Sequence, residues 1–547
     1  MGPRATNWQW IAASFGMAAL LCLPLVSVAA SLLQPSSPSW ADTAATVMPR
    51  YVFNSILLGV IVGIGVSVVG TVCAWLVVMY RFAGRPILEV LLALPLAMPA
   101  YVMAYALAHT LQYSGPVQSE LREAFGWGPQ DYWFPNVRSV PGAAMMLIFT
   151  LYPYVYLLAR ASFIEQSVCA LEVGRSLGRG PVRLFWDVAL PLARPAILAG
   201  AGLAVMETLA DYGTVDYLGV QTFTTGIYRA YFSLGDAVAA AQLASALVGL
   251  VAFVAIALRV FGGRSLPRQA TARYRPLPTI SLGFGGSLVA IAICLLPPVL
   301  GFAAPVTILI SLAVDGSDVF DAQLLTHAIN SFGLALGASS LAVLIALGFA
   351  YARRITRSRL AALAASLATF NYAVPGSVIA IGLIVPFAWA DARLAALFGD
   401  ERFLLLSGSI AGLVFLYIAR FFAAAHGAAR TSLARVTYSM DWAARSLGAT
   451  PLRAVMRVHL PVMGPSLLTG VLIVFLDVMK ELPGTLILRP FNFDTLAIAT
   501  YHLASDERIS ELAAPALAIV AAGLLPLAVM MHAIARGRAG SPSDEQD

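Results

Sequence analysis

The chain has 547 residues, 59% of them hydrophobic and 11% charged, with a mean hydropathy of +0.81. A soluble chain averages about 25% charged residues, so the composition excludes a purely water-soluble protein, and it lacks the low hydrophobicity that marks disorder. The net charge of +6 does not point to nucleic acid either, because no basic run is interleaved with aromatics and the arginines fall in short clusters between apolar stretches, which is a membrane-topology signal.

A crossing of the hydrocarbon core takes about 20 apolar residues, and twelve stretches qualify as candidates: Trp8 to Leu33, Tyr51 to Met79, Ile87 to Leu111, Gly142 to Leu158, Pro195 to Leu209, Ala237 to Val260, Ile280 to Val314, Ile329 to Tyr351, Leu360 to Ala388, Leu404 to Ala424, Pro465 to Leu482 and Leu512 to Ile534. The fifth and eleventh are short. The first is read as a retained helix, since its apolar run exceeds the roughly 7–15 residues of a signal peptide. An even number of spans puts both termini on one side. The cytoplasmic side then receives Arg4, Arg81, Arg85, the loop from Arg160 to Arg194, the linker Arg259 to Arg275, Arg353 to Arg359, the loop from Arg420 to Arg457, and Arg536 with Arg538. That bias is the positive-inside pattern of a multi-pass protein with cytoplasmic termini.

Of the 34 basic residues only Lys480 is a lysine, and it does not stand in a Gly-Lys-Ser/Thr step. The chain therefore has no P-loop to hold a nucleotide. Cys22, Cys73, Cys169 and Cys294 lie singly in or beside apolar segments and read as small core residues. The six histidines form no metal-ligand pair, and no nucleophile, base and oxyanion donors converge as a membrane-embedded enzyme needs. No catalytic residue and no resident metal site is expected.

The sequence repeats itself. Asn54-Ser55 and Met98-Pro99 recur as Asn330-Ser331 and Val374-Pro375 at an offset of 276, and Arg175-Ser176-Leu177-Gly178 and Leu190-Pro191 recur as Arg445-Ser446-Leu447-Gly448 and Leu460-Pro461 at an offset of 270. The six missing residues fall between Pro375 and Arg445, most simply in an outer loop. The expected organisation is all-α: a six-helix unit over 1–260, a cytoplasmic linker over 261–279, and a parallel copy over 280–547. Parallel copies imply a pseudo-two-fold axis along the membrane normal with the pathway between them.

Each half carries a loop of one design. Glu172 to Gly178 is followed after nine residues by Val188 to Pro191, and Asp441 to Gly448 by Val458 to Pro461. Gly178 and Gly448 suit the left-handed position that closes a helix, and Pro181 and Pro451 the first position of the next, so each loop predicts two short helices at the membrane surface. This spacing resembles the EAA loop of ABC-importer permeases, in which a coupling helix docks on the ATPase subunit. By that resemblance, Glu172, Arg175, Gly178, Leu190 and Pro191 belong to the first coupling loop, and Asp441, Arg445, Gly448, Leu460 and Pro461 to the second. Val173-Gly174 replace the motif's two alanines, and Trp442 stands at its glutamate position, with Asp441 one residue earlier. The resemblance covers nearly the whole chain. It implies two MetI-like six-helix repeats, two copies of a cytoplasmic ATPase carrying the ATP and magnesium, a periplasmic binding protein, surrounding membrane lipid, and no cofactor in the chain itself.

Ionisable residues inside spans face a bundle interior or a wet cavity. Glu207, Asp211 and Tyr212 in the first half, and Asp477, Lys480 and Glu481 in the second, are the pathway candidates, the acids matching at an offset of 270. Against this, the same acids at helix ends pair with Lys480, Arg229 or Arg489 in a purely structural reading. With Asp216 to Arg229, these stretches look like the fused permeases of ferric-iron importers, and a hard cation favours oxygen ligands. Fused permeases of this build also resemble importers of thiamine, and related unfused ones handle polyamines, sulfate or phosphonates. A proton-coupled secondary transporter is the rival class, supported only by Arg81-Phe82-Ala83-Gly84-Arg85, and it has no need of paired loops with Gly and Leu-Pro at fixed spacing.

Overall fold

The computed structural model describes residues 3–35, 38–165, 180–262, 280–315, 322–399 and 404–536. In the first half the helices are α1 (Pro3–Ala30), α2 (Met48–Met79), α3 (Arg85–Leu91), α4 (Ala100–Leu111), α5 (Val140–Glu165), α6 (Leu190–Ala210), α7 (Gly213–Tyr217), α8 (Phe223–Tyr228) and α9 (Ala237–Gly262). The second half follows with α10 (Phe284–Pro298), α11 (Ala304–Asp315), α12 (Ala322–Thr356), α13 (Arg359–Thr369), α14 (Gly376–Phe398), α15 (Ile410–Ala434), α16 (Tyr438–Ser446), α17 (Leu460–Met479), α18 (Pro483–Leu488), α19 (Leu496–Ser505) and α20 (Ile509–Arg536). Among the described residues eleven helices are long and apolar enough to cross a membrane, and a helix pair bent by 93°, Arg85–Ala97 with Ala100–Phe125, makes a twelfth crossing if it is counted as one broken span.

That bent pair corrects the third expected span. Ile87 to Leu111 is not one helix: α3 gives way to a 3-10 turn over Leu94–Ala97, and α4 restarts after Pro99. The ninth breaks likewise, with a 3-10 turn over Phe370–Ala373 and a restart after Pro375. Proline disfavours the helical region for the residue before it, and Met98 and Val374 are extended, with ψ of 118° and 132°. The repeated Pro is thus what interrupts each span.

The two short spans are corrected in the other direction. They run as Val182–Ala210 and Val455–Met479, each entered through a π turn, Phe185–Ala189 and Val455–His459. The second helix of each predicted surface pair is therefore the beginning of a span. Two arginines assigned to cytoplasmic loops also move: Arg160 lies within α5 and Arg420 in the middle of α15, both 8% exposed.

In each half three helices pack as a core, α2, α5 and α6 in the first and α12, α15 and α17 in the second. Small residues allow the close approach that drives helix association in lipid. A Cβ at Gly70 would stand 2.7 Å from Val155 Cβ, one at Gly200 2.7 Å from Val155 Cα, and one at Gly470 2.5 Å from Ala428 Cβ. The first helix of each half crosses to the other half. α1 packs along α13 and α14, where Asn371 Nδ2 donates to Leu21 O at 2.5 Å and Gly382 leaves room for the Pro24 carbonyl, only 2.3 Å from where a Cβ would be. Conversely, Tyr80–Arg81 (β1) pairs in parallel with Ile280–Ser281 (β2), and α10 and α11 lie against α3, α2, α4 and α20. The halves interlock rather than abut.

Candidate translocation cavity and coupling loop

Helices α6 and α17 end where a carboxylate turns forward to cap the next short helix. Asp211 Oδ1 accepts from the backbone N–H of Thr214 (3.0 Å) and Val215 (3.1 Å), and its Oδ2 from Thr214 Oγ1 (2.8 Å). Glu481 Oε1 accepts from Gly484 N (2.8 Å) and Oε2 from Thr485 N (2.9 Å), and the Thr485 hydroxyl also donates to it. Both acids thus neutralise orphan donors at a helix start. The two halves build this feature at equivalent positions.

A cavity of about 110 Å³ opens between the two caps, and all six sequence candidates line it: Glu207, Asp211, Tyr212, Asp477, Lys480 and Glu481. A sixth charged residue, Arg420, lines it too, with Nη1 2.7 Å from Glu481 Oε1. Lys480 Nζ lies 3.8 Å from Asp477 Oδ1 and donates to Leu96 O at 3.3 Å. Arg489 pairs with Asp494 instead, and Arg229 faces a separate vestibule. Sequence reading missed Arg420 because it sits close to the arginines that do follow α15. The signal was available: an offset of 270 aligns Arg420 with Thr150, mid-span in α5 and on the same cavity. Gly376 makes room for the arginine, since a Cβ there would be 2.0 Å from Arg420 Nη1 and 2.4 Å from Glu481 Oε1, whereas the first half has Ala100 facing Thr150's side of the cavity. Gly376→Ala is expected to push Arg420 off Glu481 and to cut transport at least tenfold with the chain still inserted; uptake by membrane-inserted Gly376→Ala checks it, and wild-type uptake refutes the tight fit.

Beyond this cavity lies the vestibule of about 670 Å³. Tyr212 borders both spaces. Its ring stacks on Tyr228 at 3.7 Å, its hydroxyl meets Tyr501 Oη at 2.9 Å, and Tyr501 donates to Asp216 Oδ2 at 3.0 Å. Tyr228 in turn donates to Pro483 O. Residues of both halves form this tyrosine partition.

In the second predicted coupling loop, α16 ends at Ser446, Leu447 caps it and Gly448 takes φ +78°, with Ala449 N donating to Ala444 O at 3.0 Å. This is the helix stop that Gly448 suggests, and Pro451 opens the next helical segment. Leu460 and Pro461 begin α17, as Leu190 and Pro191 begin α6. Asp441 faces inward, its Oδ2 2.6 Å from Arg354 Nη2 and its Oδ1 2.7 Å from His459 Nε2, while His459 Nδ1 lies 2.8 Å from Tyr351 Oη. These partners went unnoticed in the sequence. Trp442 and Leu447 point outward, 68% and 88% exposed, and Arg445 is exposed as well. In the first loop Glu172, Arg175 and Gly178 lie outside the described residues.

Paired broken spans, two capped helix ends around one shared cavity and a helix–turn–helix knob define a multi-pass membrane permease. Residues 55–266 match the family of binding-protein-dependent transport system inner membrane components. The Fe(3+)-transport system permease protein FbpB 2 of Haemophilus influenzae is 27% identical over 88% of this chain and 89% of its own. The sulfate transport system permease protein CysT of Salmonella typhimurium is 28% identical over 36% of this chain and 69% of its own, and the molybdenum transport system permease protein ModB of Escherichia coli K12 is 27% identical over 32% and 76%. The family match covers residues 55–266 and the similarity to FbpB 2 runs along nearly the whole chain, which makes the chain an inner-membrane permease of a binding-protein-dependent ABC importer. Permeases of this kind work with a separate ATPase and a binding protein.

Proposed function

We propose that this permease imports ferric iron handed over by a periplasmic binding protein, driven by two copies of a cytoplasmic ATPase, one under each half. The charge balance of the central cavity carries the reading. Arg420 and Lys480 are matched by Glu481 and Asp477, while Glu207 and Asp211 have no cation within ion-pair distance among the described residues. An oxygen-rich, net-negative lining suits a hard cation. A relative that spans nearly all of this chain is named for Fe(3+) transport, whereas the sulfate and molybdenum relatives named above match about a third of it. ATP and magnesium stay on the ATPase, and this chain contributes no cofactor.

With both termini cytoplasmic, the loops around Gly178 and Gly448 are the coupling elements. ATP-driven closure of the ATPases pulls on them, the halves rock, and the tyrosine partition parts to admit the ion. Glu207, Asp211, Tyr212, Asp477, Lys480 and Glu481 line its route. Uptake of radiolabelled ferric iron by iron-starved cells with and without the gene tests the cargo, with thiamine, a polyamine, sulfate and molybdate in parallel. Loss of iron uptake alone is the expected result. Loss of another solute with iron uptake unchanged overturns the iron assignment.

A further inference from the structure

The two halves treat one arginine differently. Arg160 of α5 lies 2.8 Å from Glu89 of α3. The repeat offsets bring Arg430 of α15 to the place of Arg160, and Ala365 of α13 to the place of Glu89. The second half has therefore kept the cation and lacks the acid. In that region the end of α12, the start of α13 and α15 enclose a cavity of about 820 Å³ lined by Arg353, Arg354, Arg357, Arg359 and Arg430. Arg354 is committed to Asp441, and Arg354 and Arg357 lie over the Tyr438 ring at 4.7 and 5.0 Å. Among the described residues no carboxylate stands within ion-pair distance of Arg353, Arg357, Arg359 or Arg430.

Four uncompensated guanidiniums around one concavity repel each other, and an anion in it relieves that repulsion. The neighbouring surface says which kind. Leu360, Leu363 and Leu367 of α13, one helical face by their spacing, are all exposed beside the basic mouth. We propose that the pocket binds the phosphate headgroup of an anionic phospholipid, whose acyl chains lie along this leucine face. Basic pockets between membrane helices hold such headgroups. Tyr438 is the first residue of α16, so the bound lipid abuts the coupling helix of the second half directly. The site is independent of the cargo.

The test measures lipid retained by the purified full-length permease, by native mass spectrometry, after addition of cardiolipin, phosphatidylglycerol or phosphatidylcholine, with inorganic phosphate as a separate competitor. Wild type is expected to keep cardiolipin or phosphatidylglycerol in preference to phosphatidylcholine. Arg357→Gln with Arg430→Gln should weaken that retention on the order of 30-fold, at one arginine's surface attraction each, while Arg81→Gln with Arg259→Gln, an equal loss of charge elsewhere, should not. Ala365→Glu removes no arginine and supplies the acid that the first half has and the second lacks, so it should weaken retention about fivefold. Equal loss in both double variants, no effect of Ala365→Glu, displacement by inorganic phosphate at lipid-like concentrations, or unchanged lipid with loss of the ATPase in the Arg357/Arg430 variant would each overturn the proposal.

Discussion

Replacing Arg420 by methionine should destabilise the permease by about 3 kcal/mol and abolish transport, whereas Glu481→Gln should cost nearer 5 kcal/mol; breaking a buried pair from one side costs about 3–5 kcal/mol. The order follows from what each residue keeps. Without Arg420, Glu481 still accepts from Gly484 N and Thr485 N at 2.8 and 2.9 Å, the arrangement in which Asp211 already persists with Thr150 in the place of an arginine. Without the Glu481 charge, Arg420 faces the cavity with its near partner gone and α18 loses its anionic cap. Combining Arg420→Met with Glu481→Gln should recover part of the loss, because no unpaired charge then remains. Thermal unfolding of the purified variants, read beside uptake in cells, checks the order. Equal stability of all three variants and wild type would show that the pair is solvated and energetically idle.

The repeat makes much of this architecture legible in the sequence alone. Asn54-Ser55 and Asn330-Ser331 hold the same structural post: Asn54 Nδ2 donates to Gln221 O at 2.8 Å and Asn330 Nδ2 to Asp494 O at 3.1 Å. Ser139 and Ser409, at an offset of 270, both accept from the N–H of a glycine three residues on, which narrows the six-residue loss to between Pro375 and Ser409. Hydropathy could not reveal the breaks at Pro99 and Pro375, because both flanks remain apolar and only backbone stereochemistry separates them. Nor could it show α1 lying on the second half, since a lipid-facing and a partner-facing helix surface are equally apolar. Arg420 was misplaced for the opposite reason: a window average assigns a cation to the nearest loop, and only a partner such as Glu481 explains its depth.

The largest effect on coupling should come from the outward tip of α16. Trp442 and Leu447 are 68% and 88% exposed at the helix–turn–helix that Gly448 closes. Buried aromatic and apolar anchors at the centre of an interface cost about 2 kcal/mol or more when lost, roughly a 30-fold weaker complex. Trp442→Asp with Leu447→Asp should therefore release the ATPase copy under the second half from the detergent-purified complex and abolish uptake, leaving the chain inserted. Asp441→Asn separates grip from transmission. It leaves that tip untouched but weakens the links to Arg354 and His459, at 2.6 and 2.7 Å, that tie α16 to α12 and α17. This variant should still retain the ATPase on purification while transport falls at least tenfold. If Asp441→Asn transports normally, the strut is not the route by which motion of the knob reaches the spans; if the tip variant keeps both ATPase copies, docking in the second half lies elsewhere and rests on residues that flank the knob.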